Sequence, residues 1–329
     1  MRNESRRISL CTVVAISAVI LTSTGMAFQE LPDPQIRVES ALVTVPVIVT
    51  DSQARFLPGL QAGDFRLLQD GTPVPISLFL TSEDPVKIAL LLDTSRSTTT
   101  VLDKIKKAAD RFLQQMRPQD EATVVSFDSD VQMLCPLSSD TREVHRAINA
   151  AKAGGMGTRI RDAVWQIAGR RFRSLPGRKA IVLLTDGEDH GSEITAADLL
   201  EGLAASSTLI YSVFFHVDPQ QLMKELIGVS ARLPKAGRNA WQQREEQAIK
   251  FLEEVSDSAA GRFYKSDVKE LDKSFKQISD ELRAQYLIGF YPDQSKLDGQ
   301  THTLEVQVRV PDTVVRGRRS YRAVRRSDE

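Results

Sequence analysis

Cysteine is almost absent from this chain and net charge is absent altogether, and each absence excludes a class of protein. The 329 residues include only two cysteines, Cys11 and Cys135, which are too few and too distant for a disulfide scaffold or a thiolate metal site. Lysine and arginine together number 43, and so do aspartate and glutamate. Without a field of one sign, neither nucleic acid nor an anionic membrane surface is predicted as the main partner.

The composition indicates a folded protein, and the pattern of the first residues predicts a targeting segment. Apolar residues make up 41% of the sequence, enough to bury a sizeable core. A basic start with three arginines precedes an apolar run from Ile8 to about Leu21, and small residues follow up to Ala27. This order predicts a secretory signal peptide over residues 1–27. We therefore expect an exported protein of the periplasm, the cell envelope or the extracellular space, with a membrane contact only if the segment stays uncleaved.

Hydrophobic patterning divides the remaining chain into an α/β block between two β segments. Residues 28–84 show the two-residue alternation of strands, and Asp70-Gly71 indicates a hairpin. Over 85–283, continuous apolar runs alternate with helical periodicity, which predicts a mostly parallel sheet covered on both faces. Within this block, residues 218–245 read as polar and irregular, with only a weak helix near 222–227.

The β pattern returns over residues 284–329. Neither β segment has enough strands to bury a core alone. We therefore expect both segments to form one β-sandwich of six to seven strands, with the α/β domain inserted between them. Two separate β appendages are the alternative. The arginines between 316 and 326 are interpreted as a solvated strand and a frayed end, and contact with anionic envelope polymers is the alternative for them.

Three polar clusters each follow a predicted strand or precede a predicted helix: residues 93–97, 154–158 and 185–189. Loops at the carboxyl ends of a doubly wound sheet converge and bind ligands. Two carboxylates and three hydroxyls stand out, those of Asp93, Ser95, Ser97, Thr158 and Asp186. Oxygen ligands of this kind suit hard cations such as Mg²⁺ and Ca²⁺. So few anionic ligands would leave a cation underneutralised and able to accept one more carboxylate from outside.

Taken together, the clusters resemble the metal-ion-dependent adhesion site of von Willebrand factor type A (VWA) domains, with Asp93-x-Ser95-x-Ser97, a later Thr158, and Thr185-Asp186-Gly187. The resemblance covers about residues 86–280, and the flanks look like bacterial exported proteins described as VWFA-related. It implies a Rossmann-like α/β fold. It also implies one divalent cation, Mg²⁺ or else Ca²⁺ or Mn²⁺, surrounded by Asp93, Ser95, Ser97, Thr158 and Asp186.

One residue departs from the family pattern, because many members have glycine where this chain has Arg96. A guanidinium beside the cation should oppose metal binding unless an acid such as Glu188 or Asp189 pairs with it.

The resulting hypothesis is a metal-dependent protein-binding module without enzymatic activity, whose cation coordinates an acidic group of a protein partner. A Mg²⁺-dependent phosphohydrolase with Asp93 as nucleophile is one alternative. Against it, Ser95 stands where a second acid is expected, and no lysine lies within the three clusters. A structural envelope protein with a silent metal site is the other alternative. For Asp93 and Ser95 alone, capping of the following helix is the simplest interpretation.

Overall fold

The computed structural model describes residues 42–228 and 234–322, so the predicted signal segment and the last arginines of the chain lie outside the described residues. The strands are β1 (Val43–Asp51), β2 (Phe65–Gln69), β3 (Thr72–Val74), β4 (Leu78–Leu80), β5 (Val86–Asp93), β6 (Glu121–Phe127), β7 (Val131–Ser138), β8 (Arg178–Thr185), β9 (Leu209–Phe215), β10 (Arg262–Ser266), β11 (Gln285–Phe290), β12 (Thr301–Val308), β13 (Thr313–Gly317) and β14 (Ser320–Arg322). The helices are α1 (Leu102–Leu113), α2 (Thr141–Ala150), α3 (Ile160–Trp165), α4 (Ala196–Ala204), α5 (Pro219–Ile227), α6 (Lys235–Ser258) and α7 (Leu271–Leu282). None of the helices in this described part is both long and apolar enough to cross a bilayer.

A six-stranded sheet forms the centre of the α/β block, in the order β10-β9-β8-β5-β6-β7. All neighbours run parallel except β7, which pairs antiparallel with β6 at the edge. Helices α1, α2 and α7 pack on one face, and α3, α4 and α6 pack on the other. Because β5 and β8 are buried on both faces, each has a continuous apolar run at its centre, residues 88–92 and 180–184. The predicted mostly parallel α/β fold is confirmed.

Helix α6 corrects the prediction for residues 218–245. The helix begins at Lys235 and runs for 24 residues, so residues 235–245 of the segment that reads as irregular are in fact its first three turns. These turns carry almost no apolar stripe, since only Trp241 and Glu245 among residues 238–247 are half-buried. These turns contain many good helix formers, such as Ala, Arg, Gln and Glu, which favour a helix even without an apolar face. A search for hydrophobic periodicity does not detect such a helix.

The two β segments together form a sandwich of two four-stranded antiparallel sheets. One sheet has the order β13-β1-β11-β4 and the other β14-β12-β2-β3, so each contains strands from both ends of the chain. A single buried cluster, which includes Val45, Leu67, Ile288 and Leu304, lies between them. The single sandwich is confirmed. It has eight strands rather than six to seven, because the chain adds strands as short as β3 and β14.

The inserted α/β block leaves and rejoins the sandwich at one place. Strand β4 precedes the block, β11 follows it, and the two pair antiparallel, with Leu80 opposite Leu287. Arg178, at the start of β8, holds both connections. Its guanidinium donates to the carbonyl oxygens of Ser82 (3.3 Å) and Asp84 (2.6 Å) on the first connection and to that of Leu282 on the second.

Two arginines of the predicted solvated strand instead join the sandwich to the α/β block. Arg316 on β13 pairs with Glu281, which is 1% exposed on α7, and donates to the carbonyl oxygen of Gly261 (2.7 Å). Arg318 is buried and donates to the carbonyl oxygen of Ala204, the last residue of α4. The interpretation of these two residues as solvated is wrong. We refer to Arg178, Glu281, Arg316 and Arg318 as the domain junction.

Candidate metal centre

The adjacent carboxyl ends of β5 and β8 bring the first carboxylate and its supports together. Asp93 ends β5 and is fully buried. Its Oδ1 accepts from the backbone N–H of Ser95 (2.9 Å), and its Oδ2 accepts from the hydroxyl of Thr185 (2.6 Å), the last residue of β8. The Thr185 hydroxyl in turn accepts from the N–H of Gly187 (2.9 Å). These bonds hold the Asp93 side chain in one orientation and place Asp186 beside it.

The loop after β5 carries two of the predicted hydroxyl donors. The Oγ atoms of Ser95 and Ser97 lie 2.9 Å apart. Ser95 precedes a short 3₁₀ helix, Arg96–Thr100, but its side chain makes no capping hydrogen bond there. Helix α1 begins only at Leu102. Helix capping by the side chains of Asp93 and Ser95 is therefore not what the structure contains, and the two hydroxyls are left facing each other.

The loop that carries Thr158 is hydrogen-bonded to both other loops. The backbone N–H of Arg96 donates to the carbonyl oxygen of Gly155 (2.9 Å), which joins it to the first loop. Thr158 and His190 exchange two backbone hydrogen bonds of 2.9 Å each, which join it to the third. Thr158 itself is buried. All five candidate residues therefore lie on three loops that are tied together at the same edge of the sheet.

Glycine is needed in this second loop for two physical reasons. A Cβ atom on Gly155 would lie 2.2 Å from the carboxyl carbon of Asp128, so a side chain there would displace Asp128. Gly154 and Gly157 have φ angles of 131° and 116°, a region that other residues rarely adopt. The glycines therefore allow the backbone of this loop to approach the first loop closely.

Two carboxylates, those of Asp93 and Asp186, lie close together at this edge of the sheet. Burial, followed by the charge of Asp186, raises the pKa of Asp93. Burial also raises the pKa of Asp186, although a hydrogen bond from the Ser97 hydroxyl opposes the shift. In the part of the chain that the structure describes, neither carboxylate pairs with a cationic side chain. Oδ1 of Asp186 is buried and has no hydrogen-bond partner.

The donor set fits a hard divalent cation. A buried carboxylate oxygen without a partner costs free energy unless something neutralises it, and a dication neutralises two carboxylates at once. The other donors are hydroxyls, which Mg²⁺, Ca²⁺ and Mn²⁺ all accept. Within residues 42–228 and 234–322, no group of three or more His, Cys, Asp or Glu side chains is arranged to hold a metal. Any cation at this edge therefore depends on the hydroxyls as much as on the carboxylates.

The acids that could offset Arg96 are engaged elsewhere. Arg96 is exposed, and its guanidinium lies 4.0 Å from the sulfur of Met156. Glu188 forms an ion pair with Arg244 (3.6 Å) and contacts the ring of His190 (2.9 Å), and Asp189 forms an ion pair with Arg161 (2.9 Å). In these contacts neither Glu188 nor Asp189 pairs with Arg96, although the sequence allowed such a pair.

Two contributors to the site are not among the residues that the sequence analysis assigns to the metal. Thr185, which the sequence analysis names only as part of the motif with Asp186 and Gly187, orients Asp93. Arg244 reaches Glu188 from α6, whose first turns read as irregular. With Trp241 it borders a small cavity that also touches Asp186. A side chain brought in by a distant helix has no local sequence pattern that places it at this edge.

Comparison with known proteins places the α/β block in a family. A family model described as the von Willebrand factor type A domain matches residues 88–188. None of the curated proteins matches the chain.

Three solved structures are similar to parts of the chain at low sequence identity. The conserved hypothetical protein BatB from Bacteroides thetaiotaomicron is 21% identical, over 60% of this chain and 97% of its own, with a TM-score of 0.44. An aerotolerance-related membrane protein from Bacteroides fragilis is 20% identical, over 60% of this chain and 98% of its own, with a TM-score of 0.43. A von Willebrand factor type A protein from Catenulispora acidiphila is 13% identical, over 88% of this chain and 76% of its own, with a TM-score of 0.45.

Proposed function

Because this chain contains a von Willebrand factor type A domain, we propose that it is a metal-dependent protein-binding module of an exported bacterial protein. The observation that carries the proposal is the buried, partnerless Oδ1 atom of Asp186 beside the fully buried Asp93. A chain that leaves two carboxylates uncompensated in its interior loses stability unless a ligand supplies the opposite charge. Perturbed groups of this kind concentrate at functional sites.

Five side chains would hold the cation: Asp93, Ser95, Ser97, Thr158 and Asp186. Mg²⁺ is the expected ion, with Ca²⁺ or Mn²⁺ as alternatives. When bound, the cation offers an open coordination position to a carboxylate oxygen of a protein partner. The protein's own contribution is preorganisation, because Thr185 and the Ser95 N–H already fix the Asp93 carboxylate at 2.6 and 2.9 Å.

A binding role is favoured over hydrolysis by the state of Asp93. A carboxylate nucleophile has to reach its substrate. Asp93 is fully buried, and each of its oxygens already accepts a hydrogen bond. The aspartate that a phosphohydrolase would use for attack is thus enclosed by the chain itself.

The test is a calorimetric titration of the full chain with Mg²⁺ and with Mn²⁺. We expect one bound ion, and we expect Asp186→Ala to weaken binding by at least about tenfold. Asp130→Ala is the matched control, because it removes an exposed carboxylate from the turn between β6 and β7, at the same edge of the sheet. Equal metal binding by wild type and Asp186→Ala would overturn the assignment of the site.

A second arm tests the adhesive role. Protein partners retained from envelope extract by the immobilised chain should be released by EDTA and should not be retained by Asp186→Ala. Partners that stay bound in EDTA and on Asp186→Ala would show that any cation in the loops is not the bridge.

A further inference from the structure

We infer that Arg96 is a second anchor at this site and that the partner presents two acidic groups, one for the cation and one for the Arg96 guanidinium. The inference rests on the proposed function and names the chemistry of its partner: a pair of neighbouring carboxylates rather than a single one.

The position of Arg96 is fixed even though its side chain is exposed. It stands between the hydroxyl donors Ser95 and Ser97. Its backbone N–H donates to the carbonyl oxygen of Gly155 (2.9 Å), and its carbonyl oxygen accepts from the hydroxyl of Thr99 (2.8 Å). The base of the side chain is therefore held rigidly at the mouth of the metal centre, and only the guanidinium end can move.

No carboxylate of residues 42–228 and 234–322 pairs with the guanidinium of Arg96. Glu188 and Asp189, the acids of the third loop, are engaged elsewhere: Glu188 pairs with Arg244 (3.6 Å) and contacts the ring of His190 (2.9 Å), and Asp189 pairs with Arg161 (2.9 Å). Within the described residues, the contact of the Arg96 guanidinium is with a sulfur atom, that of Met156 at 4.0 Å. A thioether is a weak acceptor and leaves the planar fork of donors free for a carboxylate.

Met156 adds an apolar support beside the cationic group. It is 71% exposed, the most exposed of the large hydrophobic residues in the described part of the chain. Gly154 and Gly157, with positive φ angles, hold the loop that presents it. A guanidinium resting against an apolar side chain is partly desolvated, which strengthens its hydrogen bonds to an incoming anion.

The bound cation and the Arg96 guanidinium also affect each other's binding energetics. A guanidinium near the ion disfavours ion binding, because like charges repel. An anionic segment that contacts both centres removes this penalty, whereas a single carboxylate on the ion removes only part of it. Metal binding and partner binding are therefore expected to be coupled, and the coupling is reciprocal.

The experiment uses Mn²⁺-loaded full chain and peptides with blocked termini that carry either one aspartate or two aspartates separated by none, one or two serines. Displacement of water from the bound Mn²⁺, read by proton relaxation, reports peptide binding at the ion. We expect the best two-aspartate peptide to bind wild type about tenfold more tightly than the one-aspartate peptide. In Arg96→Gln the two peptides should bind alike, while Mn²⁺ alone should bind more tightly than to wild type.

Arg66→Gln is the control, since it removes an exposed arginine from β2 of the sandwich. It should leave the peptide preference and the Mn²⁺ affinity unchanged. A wild-type chain that binds both peptides alike, or an Arg96→Gln variant that keeps the preference, would overturn the second anchor but leave the proposed function standing. A Mn²⁺-loaded chain that binds neither peptide would overturn the proposed function, and the second anchor with it.

Discussion

Buried charge occurs at the domain junction and in the loops at the carboxyl end of the central sheet. Cationic side chains neutralise it at the junction, whereas none of the described residues neutralises it in the loops. At the junction, Glu281 is as buried as Asp93 but is met by Arg316, and by Arg262 at 3.3 Å. In the loops, Asp93 and Asp186 lie together without a cation among the described residues. Burial of charge alone therefore does not identify a functional site. The distinguishing feature is charge that the chain leaves for something else to neutralise.

The largest effect is expected from breaking the balanced cluster. Arg316→Met keeps the apolar stem but leaves Glu281 buried with Arg262 alone, and it removes the bond to the carbonyl oxygen of Gly261. Breaking a buried pair on one side costs about 3–5 kcal/mol. Because Arg316 is itself 29% exposed, we expect the lower end, about 3 kcal/mol of the free energy of unfolding in urea.

The matched control for the junction is the double variant Arg316→Met/Glu281→Leu. Replacing both partners by apolar side chains should recover most of the loss, because no charge is then left buried. The loss in Arg316→Met should be the same with Mg²⁺ and with EDTA. A metal-dependent loss would mean that the two charged regions are energetically coupled and not independent.

A smaller effect, of opposite sign, is expected in the loops. Asp186→Asn removes one of two uncompensated carboxylates and keeps an acceptor oxygen in place. In EDTA at pH 8 we expect this variant to be more stable than wild type by on the order of 1–2 kcal/mol, since the two carboxylates no longer repel each other. Added Mg²⁺ should stabilise wild type, by about 2.7 kcal/mol at a hundredfold excess over Kd. It should leave Asp186→Asn unchanged.

Asp130→Asn serves as the control, because this exposed aspartate lies at the same edge of the sheet. Its stability should follow that of wild type in both buffers. If Asp186→Asn is the less stable protein in EDTA, then the chain itself compensates Asp186, and the reason for assigning a cation to this edge disappears.

The sequence predicts the loops that carry Asp93 and Asp186 better than it predicts the domain junction. The apolar runs of β5 and β8 identify buried parallel strands, and the polar residues that follow them must then share one edge. Asp93, Ser95, Ser97 and Asp186 could therefore be brought together without coordinates. Thr158 depends in addition on glycines that let its loop pass close to the first.

The domain junction, in contrast, could not be predicted from patterning. Arg316 and Glu281 lie 35 residues apart on a strand and a helix, and periodicity does not say which distant side chains meet. Arginines in an alternating strand look solvated, and burial becomes visible only once β13 is placed beside β1. The first turns of α6 are predicted as irregular for a related reason, since a polar helix without an apolar stripe resembles a loop in sequence.

A third charged cluster, in the sandwich, is balanced only while a histidine is protonated. The ring of His302 lies between Asp70 (2.9 Å from Nδ1) and Asp298 (3.1 Å from Nε2). Lys296 also contacts Asp70, at 2.9 Å, and the ring of Tyr321 lies 5.4 Å from that of His302. Burial alone would lower the pKa of His302, but the hydrogen bonds to the two carboxylates outweigh it and raise the pKa above 6.5. The pKa of Asp70 is lowered, first by the hydrogen bond from Lys296.

The smallest predicted effect follows from this raised pKa. A folded-state pKa above the unfolded value stabilises the protein fully below about pH 6.5, and this stabilisation is lost as the pH rises through the folded-state pKa. We expect wild type to lose about 1 kcal/mol or less between pH 6 and 8 relative to His302→Gln, measured by urea unfolding in EDTA. His145→Gln, which removes the imidazole paired with Asp110 on α1, should follow wild type. A difference between wild type and His302→Gln that does not change with pH would mean that Lys296 alone balances Asp70, which would make this cluster a second example of permanent compensation by the chain.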